Sequence, residues 1–159
     1  MKKVLIITYY WPPAGGSGVQ RWLKFSKYLP ENGWDPIIYT PENPSFQIQD
    51  KELSSEIHSN TTVWKSPIWE PYSLRNKFFG YNDNDNSGII QKRNSIKNKM
   101  MNWIRGNLFI PDPKIYWVNS SVKFLIKRIQ EEKIDYIVST GPPHSMHLIA
   151  LSLKRYFPA

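Results

Sequence analysis

The sequence contains no cysteine, which excludes disulfide bonds and thiolate chemistry and agrees with a reducing compartment. Long hydrophobic runs are also missing. The apolar stretch that follows Lys3 spans only about six residues, too few for the core of a signal peptide or for a transmembrane helix. We therefore expect a cytoplasmic protein whose only contact with a membrane is peripheral.

Acidic residues are the scarcer charged class, with 13 Asp and Glu against 21 Lys and Arg and a net charge of +8. This excess favours an anionic partner, such as a phosphorylated substrate, a lipid surface or a nucleic acid. The absence of zinc-finger and RNP motifs argues against nucleic acid. A hydrophobic content of 40% predicts that residues 1–159 form one folded domain.

The order of periodic segments predicts an α/β fold. We expect strands at 3–8, 36–40, 61–65 and 133–139, and helices at 18–32, 92–105, 115–132 and 145–156. Ser145 is the expected N-cap of the final helix. This alternation predicts a Rossmann-like, mostly parallel sheet flanked by helices on both faces.

Residues 81–95 are rich in Asn and Asp in their first half and are expected to form an exposed, flexible loop. Their alternating aspartates resemble a calcium loop, but the glutamate that should follow is missing. Residues 92–105 carry only basic charges beside an apolar face that includes Trp103. This helix could pack on the sheet, contact a partner domain, or lie peripherally on an anionic membrane.

A glycine-rich loop, Gly15-Gly16-Ser17-Gly18, joins the first strand to the first helix. Glycine lets a phosphate approach the backbone, and a helix N-terminus favours negative charge. Arg21 lies one turn into the helix as either a phosphate ligand or a solvated arginine. The third glycine of the dinucleotide fingerprint would fall at Arg21, and no Walker lysine follows. We expect Gly16→Val to impair ligand binding more than folding.

A second loop, Thr140 to His144, follows the last predicted strand. Right-handed crossovers place both loops at the same edge of a parallel sheet, where ligands bind. His144 is either a donor to a phosphate or sugar hydroxyl, or a structural histidine. Together with His147 it supplies too few ligands for a metal site. No catalytic residue can be assigned, because neither a Gly-x-Ser-x-Gly elbow nor a spaced carboxylate pair is recognisable.

Tyr10-Trp11-Pro12-Pro13 followed by residues 15–21 resembles the N-terminus of GT-B-fold glycosyltransferases of family 4, the glycosyl transferase group 1 type. Residues 139–145 resemble a second loop of the same N-terminal domain. Residues 109–112 and Trp117 resemble the intervening segment in a bacterial subgroup. The resemblance covers nearly the whole chain, and it implies the N-terminal half of a GT-B fold.

This resemblance implies a retaining transferase that moves a sugar from a nucleotide-diphosphate sugar to the hydroxyl of a glycan or lipid-linked acceptor. It also implies a role in cell-envelope polysaccharide synthesis and a reaction that needs no metal or cofactor. A C-terminal domain would bind most of the donor, so we expect this chain to be an N-terminal fragment that is inactive alone. The residues that the resemblance places near the donor and acceptor are Gly15, Gly16, Ser17, Gly18, Arg21 and His144.

Two other functions remain compatible with the residues. One is a non-catalytic module that binds a nucleotide or a phospholipid at the loop edge. The other is an NAD(P)-dependent enzyme in which Glu42, near the end of the second strand, holds the ribose.

Overall fold

The computed structural model describes residues 1–46, 48–70, 107 and 109–157. The strands are β1 (Lys2–Ile7), β2 (Trp34–Pro41), β3 (Thr62–Ser66) and β4 (Tyr136–Ser139), and the α-helices are α1 (Ser17–Tyr28), α2 (Ile115–Glu132) and α3 (Ser145–Tyr156). Short 3-10 segments lie at Pro30–Asn32 and Glu52–Glu56. The loop expected at 81–95 and the basic helix expected at 92–105 lie outside the described residues.

The four strands form one sheet in the order β3-β2-β1-β4, and every neighbouring pair is parallel. This arrangement, with helices against the sheet, confirms the predicted Rossmann-like α/β fold. The chain moves from β1 to β2 and β3 in one direction and then returns to place β4 on the other side of β1. The carboxyl ends of β1 and β4 therefore flank the point where the strand order reverses, which is where open α/β sheets bind ligands.

Side chains of β1 alternate between two hydrophobic layers, as the period of a strand requires. Val4 and Ile6 pack with Val19 and Leu23 of α1 on one face of the sheet. Leu5 and its neighbours on the other face pack with α2 and α3. The sheet is therefore covered on both sides, and its loops are positioned by a buried core.

The first helix is shorter than the sequence predicts. It ends at Tyr28 rather than near residue 32, and a 3-10 turn begins at Pro30. Proline at this position has no backbone N–H to continue the helical ladder. Gly33 then takes a φ of 80° and leads into β2. The expected boundaries of α2 agree with the structure.

Helix α2 is fastened to the sheet by a stacked aromatic pair. The ring of Trp117 lies parallel to that of Tyr39 in β2, with centroids 5.0 Å apart and an interplanar angle of 8°. The Trp117 indole N–H donates to Ser66 Oγ over 3.1 Å, and the Tyr39 hydroxyl is 2.6 Å from the same atom.

Among the described helices, none is both long and apolar enough to cross a bilayer.

Candidate functional site

The two loops predicted to share one edge of the sheet line a common cavity of about 280 Å³. The first loop and the start of α1 contribute Gly15, Ser17 and Gly18, and the second loop contributes residues 140–142. Thr8, at the carboxyl end of β1, also lines the cavity. The expectation that these loops meet is confirmed, and their meeting point is the switch point between β1 and β4.

The N-terminus of α1 forms the electropositive side of this cavity. Gly16 is its N-cap and supplies no side-chain hydrogen bond, and no acidic residue lies in the first turn. The first N–H groups of a helix have no partner within the helix and carry partial positive charge. Arg21 lines the same cavity one turn later. No acidic side chain occurs among the described residues of the lining, so the arrangement suits an anion.

Gly15 and Gly16 shape the loop in two different ways. The Gly15 N–H donates to the Ile48 carbonyl over 2.9 Å, and a Cβ at position 15 would lie 2.8 Å from Ile48 Cγ2. Gly16 has a φ of 101°, which side-chain-bearing residues rarely adopt. Gly16 does not itself line the cavity, although both of its neighbours do. These two glycines therefore set the path of the backbone.

Gly18 differs from them because nothing lies within 4 Å of a Cβ built there and its φ is not positive. Backbone geometry therefore does not require glycine at this helical position. Gly18 nevertheless lines the cavity. A side chain at position 18 would project into open space at the site, where a ligand could approach the backbone.

The structure places His144 outside the lining of the cavity. It is exposed and forms the N-cap of α3 without a side-chain capping bond. His147 also contacts the second loop: its Nδ1 is 2.9 Å from Ser139 Oγ, and a Cβ on Gly141 would lie 2.8 Å from its Nε2 and 3.4 Å from His144 Nδ1. The ring centroids of the two histidines are 6.0 Å apart. The sequence prediction chose His144. The signal available for His147 was its position three residues later, which is the spacing of neighbours on one face of a helix.

The N-terminus of α3 is already occupied by a carboxylate of the chain. Asp112 Oδ2 accepts a hydrogen bond from the Ser145 N–H over 2.7 Å, and Oδ1 accepts one from the Ser145 hydroxyl over 2.9 Å. The expectation that Ser145 caps this helix was wrong, because Ser145 is its first residue and donates to Asp112 instead. Of the two helix N-termini at this edge, α1 is therefore the one that faces the cavity without a capping side chain.

A buried carboxylate, Glu70, lies outside the cavity lining and contacts the segment that follows β1. Glu70 is 4% exposed, and its Oε1 accepts from the Tyr9 hydroxyl over 2.5 Å and forms an ion pair with Lys114. Its Oε2 accepts from the Ser45 N–H over 2.8 Å. Burial, reinforced by the Glu70 carboxylate, raises the pKa of Tyr9 well above its usual range. The cluster joins the segments that follow β1, β2 and β3 to the start of α2, a contact set that sequence reasoning missed.

Glu42, the residue considered for a ribose contact, is not brought to this cavity. Its N–H donates to the Ser66 carbonyl over 2.9 Å, and its side chain is exposed. It lines a separate cavity of about 190 Å³ together with residues 11–13. The arrangement therefore gives no support to a dinucleotide site built on Glu42.

Among the described residues, no group of three or more His, Asp or Glu side chains could hold a metal ion.

Comparison of the chain with known proteins found no matching protein-family model, no matching curated protein and no matching solved structure.

Proposed function

We propose that this chain is the N-terminal, acceptor-side domain of a retaining GT-B glycosyltransferase that takes its sugar from a nucleotide-diphosphate sugar. The observation that carries the proposal is the cavity at the switch point, where the glycine loop, the N-terminus of α1 and residues 140–142 meet. The resemblance of both loops to those of family 4 transferases supplies the reaction. The fold alone would support many other activities.

In this proposal the cavity receives the diphosphate of the donor. Negative charge grows on that group as the bond between C1 of the sugar and the β-phosphate oxygen breaks. The acceptor oxygen forms the new bond to C1, and the proton of its hydroxyl passes to the departing diphosphate. The N–H groups of Ser17 and Gly18 stabilise this charge because the helix fixes them before the reaction begins, and the guanidinium of the exposed Arg21 adds positive charge beside them. This role requires neither a metal ion nor a cofactor. No carboxylate of the chain is assigned as a nucleophile.

The proposal extends to partners and location. Most donor contacts come from a C-terminal domain in the same polypeptide, and the acceptor is a glycan or lipid-linked hydroxyl. The reaction belongs to cell-envelope polysaccharide synthesis on the cytoplasmic side, with residues 92–105 as a peripheral contact with the membrane. Because His144 lies outside the cavity lining, it contacts the donor sugar only if the ligand extends beyond the cavity or the second domain holds the sugar there. Incubated with nucleotide-sugars and candidate acceptors, the chain alone is expected to bind without transferring. Robust transfer would refute its assignment as one domain of two.

The anion site is tested by titrating pyrophosphate, UDP and GDP into the ¹⁵N-labelled chain. We expect chemical-shift changes at Ser17, Gly18 and Gly141. Arg21→Met is expected to weaken pyrophosphate binding about tenfold. A hydrogen bond to a charged group is worth roughly 1.5–3 kcal/mol, and the exposure of Arg21 places it at the lower end of that range. Lys27→Met is the matched control, since Lys27 lies in the last turn of the same helix.

Gly18→Ala provides a second, independent test. Alanine in a helix is favoured over glycine by about 0.5–1 kcal/mol, so the variant should fold at least as well as the wild type. Its methyl group projects into open space at the cavity and should weaken pyrophosphate binding. Shifts confined to other parts of the chain, or wild-type affinity in both Arg21→Met and Gly18→Ala, would reject the proposed site.

A further inference from the structure

The cavity has an aromatic wall in addition to its electropositive side. Tyr10 lines the cavity and keeps 38% of its surface exposed. It lies directly beyond the carboxyl end of β1, two residues after Thr8. A partly exposed tyrosine in a cavity offers a flat apolar face to a ligand.

The Tyr10 ring is held in place from within the protein. It packs edge to face against Tyr9, with centroids 5.0 Å apart and an interplanar angle of 88°. On another side it stacks on Phe46 at 6.2 Å and 30°. Its backbone carbonyl accepts a hydrogen bond from the hydroxyl of Thr8 over 3.1 Å. A ring that is already fixed loses little rotamer freedom when a ligand packs on it.

The remaining lining indicates which ligand this face would take. Ser17 and Thr140 bring hydroxyl groups, which suit the hydroxyls of a sugar. Arg21 is the one charged side chain among the described lining residues, and a phosphate at the N-terminus of α1 would engage it, which leaves the hydroxyl groups for the sugar. The volume of about 280 Å³ is near the lower end of ligand pockets, which favours a sugar phosphate over a whole nucleotide-sugar.

We propose that Tyr10 stacks against the C–H face of a hexose ring whose phosphate binds at the N-terminus of α1. This inference rests on the proposed function and makes Tyr10 a residue that binds the sugar directly. The anion site and the stacking face then recognise the two halves of one sugar phosphate. Each half has its own measurable contribution to affinity.

The test compares phosphate ligands that carry a sugar, a nucleoside or neither. Dissociation constants are measured by NMR titration for inorganic phosphate, pyrophosphate, glucose 1-phosphate and UMP. We expect the wild type to bind glucose 1-phosphate more tightly than inorganic phosphate. Tyr10→Ala should remove about threefold to tenfold of the glucose 1-phosphate affinity, the usual worth of an aromatic stacking contact. Its affinity for inorganic phosphate and pyrophosphate should not change.

Two further variants separate stacking from other effects. Tyr10→Phe keeps the ring and should keep the preference for glucose 1-phosphate. Tyr28→Ala removes a comparably exposed tyrosine from the far end of α1 and should leave all four affinities unaltered. Thermal melting of Tyr10→Ala confirms that the variant is folded.

The possible failures point to different conclusions. If pyrophosphate binds at α1 but glucose 1-phosphate shows no advantage, or shows one that survives in Tyr10→Ala, the stacking role is wrong and the anion site stands. A Tyr10-dependent gain for UMP but not for glucose 1-phosphate would overturn the choice of a sugar. If none of these anions binds at the cavity, the proposed function and this inference both fail.

Discussion

At the level of single residues, the glycines beside the cavity have three different physical functions. Gly15 allows the Ile48 segment to approach closely, Gly16 adopts a positive φ, and Gly18 leaves open space at the cavity. A glycine-rich loop is visible in the sequence, but the distinction among these positions depends on backbone dihedral angles and on neighbours more than thirty residues away.

The positive φ of Gly16 reverses the expectation for substitutions at that position. Gly16→Ala should lower the free energy of unfolding by about 1–2 kcal/mol, because a side-chain-bearing residue is strained in the left-handed half of φ space. Gly16→Val should destabilise at least as much, so folding suffers before ligand binding does. Urea denaturation of the two variants, with Gly18→Ala as the matched control, measures the difference. Wild-type stability of Gly16→Ala would contradict the assigned conformation.

At the level of secondary-structure elements, α3 depends on a residue that lies 33 positions before its start. Asp112 holds the first turn through the backbone N–H and the hydroxyl of Ser145, and it also accepts from the Lys114 N–H over 2.8 Å. One carboxylate therefore joins the start of α3 to the segment that leads into α2. Since residues 140–142 immediately precede α3, the same contact steadies one wall of the cavity.

Asp112→Ala should destabilise the protein by about 1–2 kcal/mol, the usual cost of losing a carboxylate cap from a helix N-terminus. Hydrogen exchange should accelerate first at Met146 and His147, whose N–H groups lie in the first turn of α3. Glu131→Ala is the control, because Glu131 is exposed and makes only a 3.7 Å ion pair with Lys127. Equal stability of the two variants would show that Asp112 does not cap α3.

At the level of the whole molecule, stability depends on buried groups that link the helices to the sheet. Tyr39 of β2 is fully buried between Trp117 and Phe124 of α2, and its hydroxyl lies beside Ser66 of β3. Burial raises the pKa of Tyr39 above its ordinary value of 10.0. The folded protein therefore keeps this proton at a pH where the unfolded chain begins to release it.

This difference predicts the direction of alkaline unfolding. Above pH 10 the unfolded state binds fewer protons than the native state, so the stabilisation from Tyr39 is complete below that pH and is lost as pH rises toward the native pKa. One such group lowers the free energy of unfolding by at most about 1.4 kcal/mol per pH unit. Tyr39→Phe should therefore show a shallower decline than the wild type in urea denaturation between pH 10 and pH 12. Tyr28→Phe, at an exposed position, is the control, and parallel declines in all three proteins would reject the argument.

Local sequence pattern was sufficient to predict most of the described elements. The period of apolar residues located α2 at its observed boundaries, and short apolar runs located the four strands within a few residues. Pro30 and Gly33 marked the end of the first helix, although the helix stops before the proline rather than after it. These features depend on residues close together in the chain, where helix period and backbone stereochemistry act directly.

The sequence by itself determined an α/β chain whose glycine loop and second loop follow parallel strands, because the direction of right-handed crossovers puts such loops on one edge. Tertiary structure decided which further groups face the cavity and which predicted ones do not. It brings Tyr10 into the lining and leaves His144 outside it, places Asp112 at the N-terminus of α3, and pairs Glu70 with Tyr9 and Lys114. The physical reason is that these contacts join residues far apart in the chain, so packing of the whole domain fixes their distances and no local pattern records them.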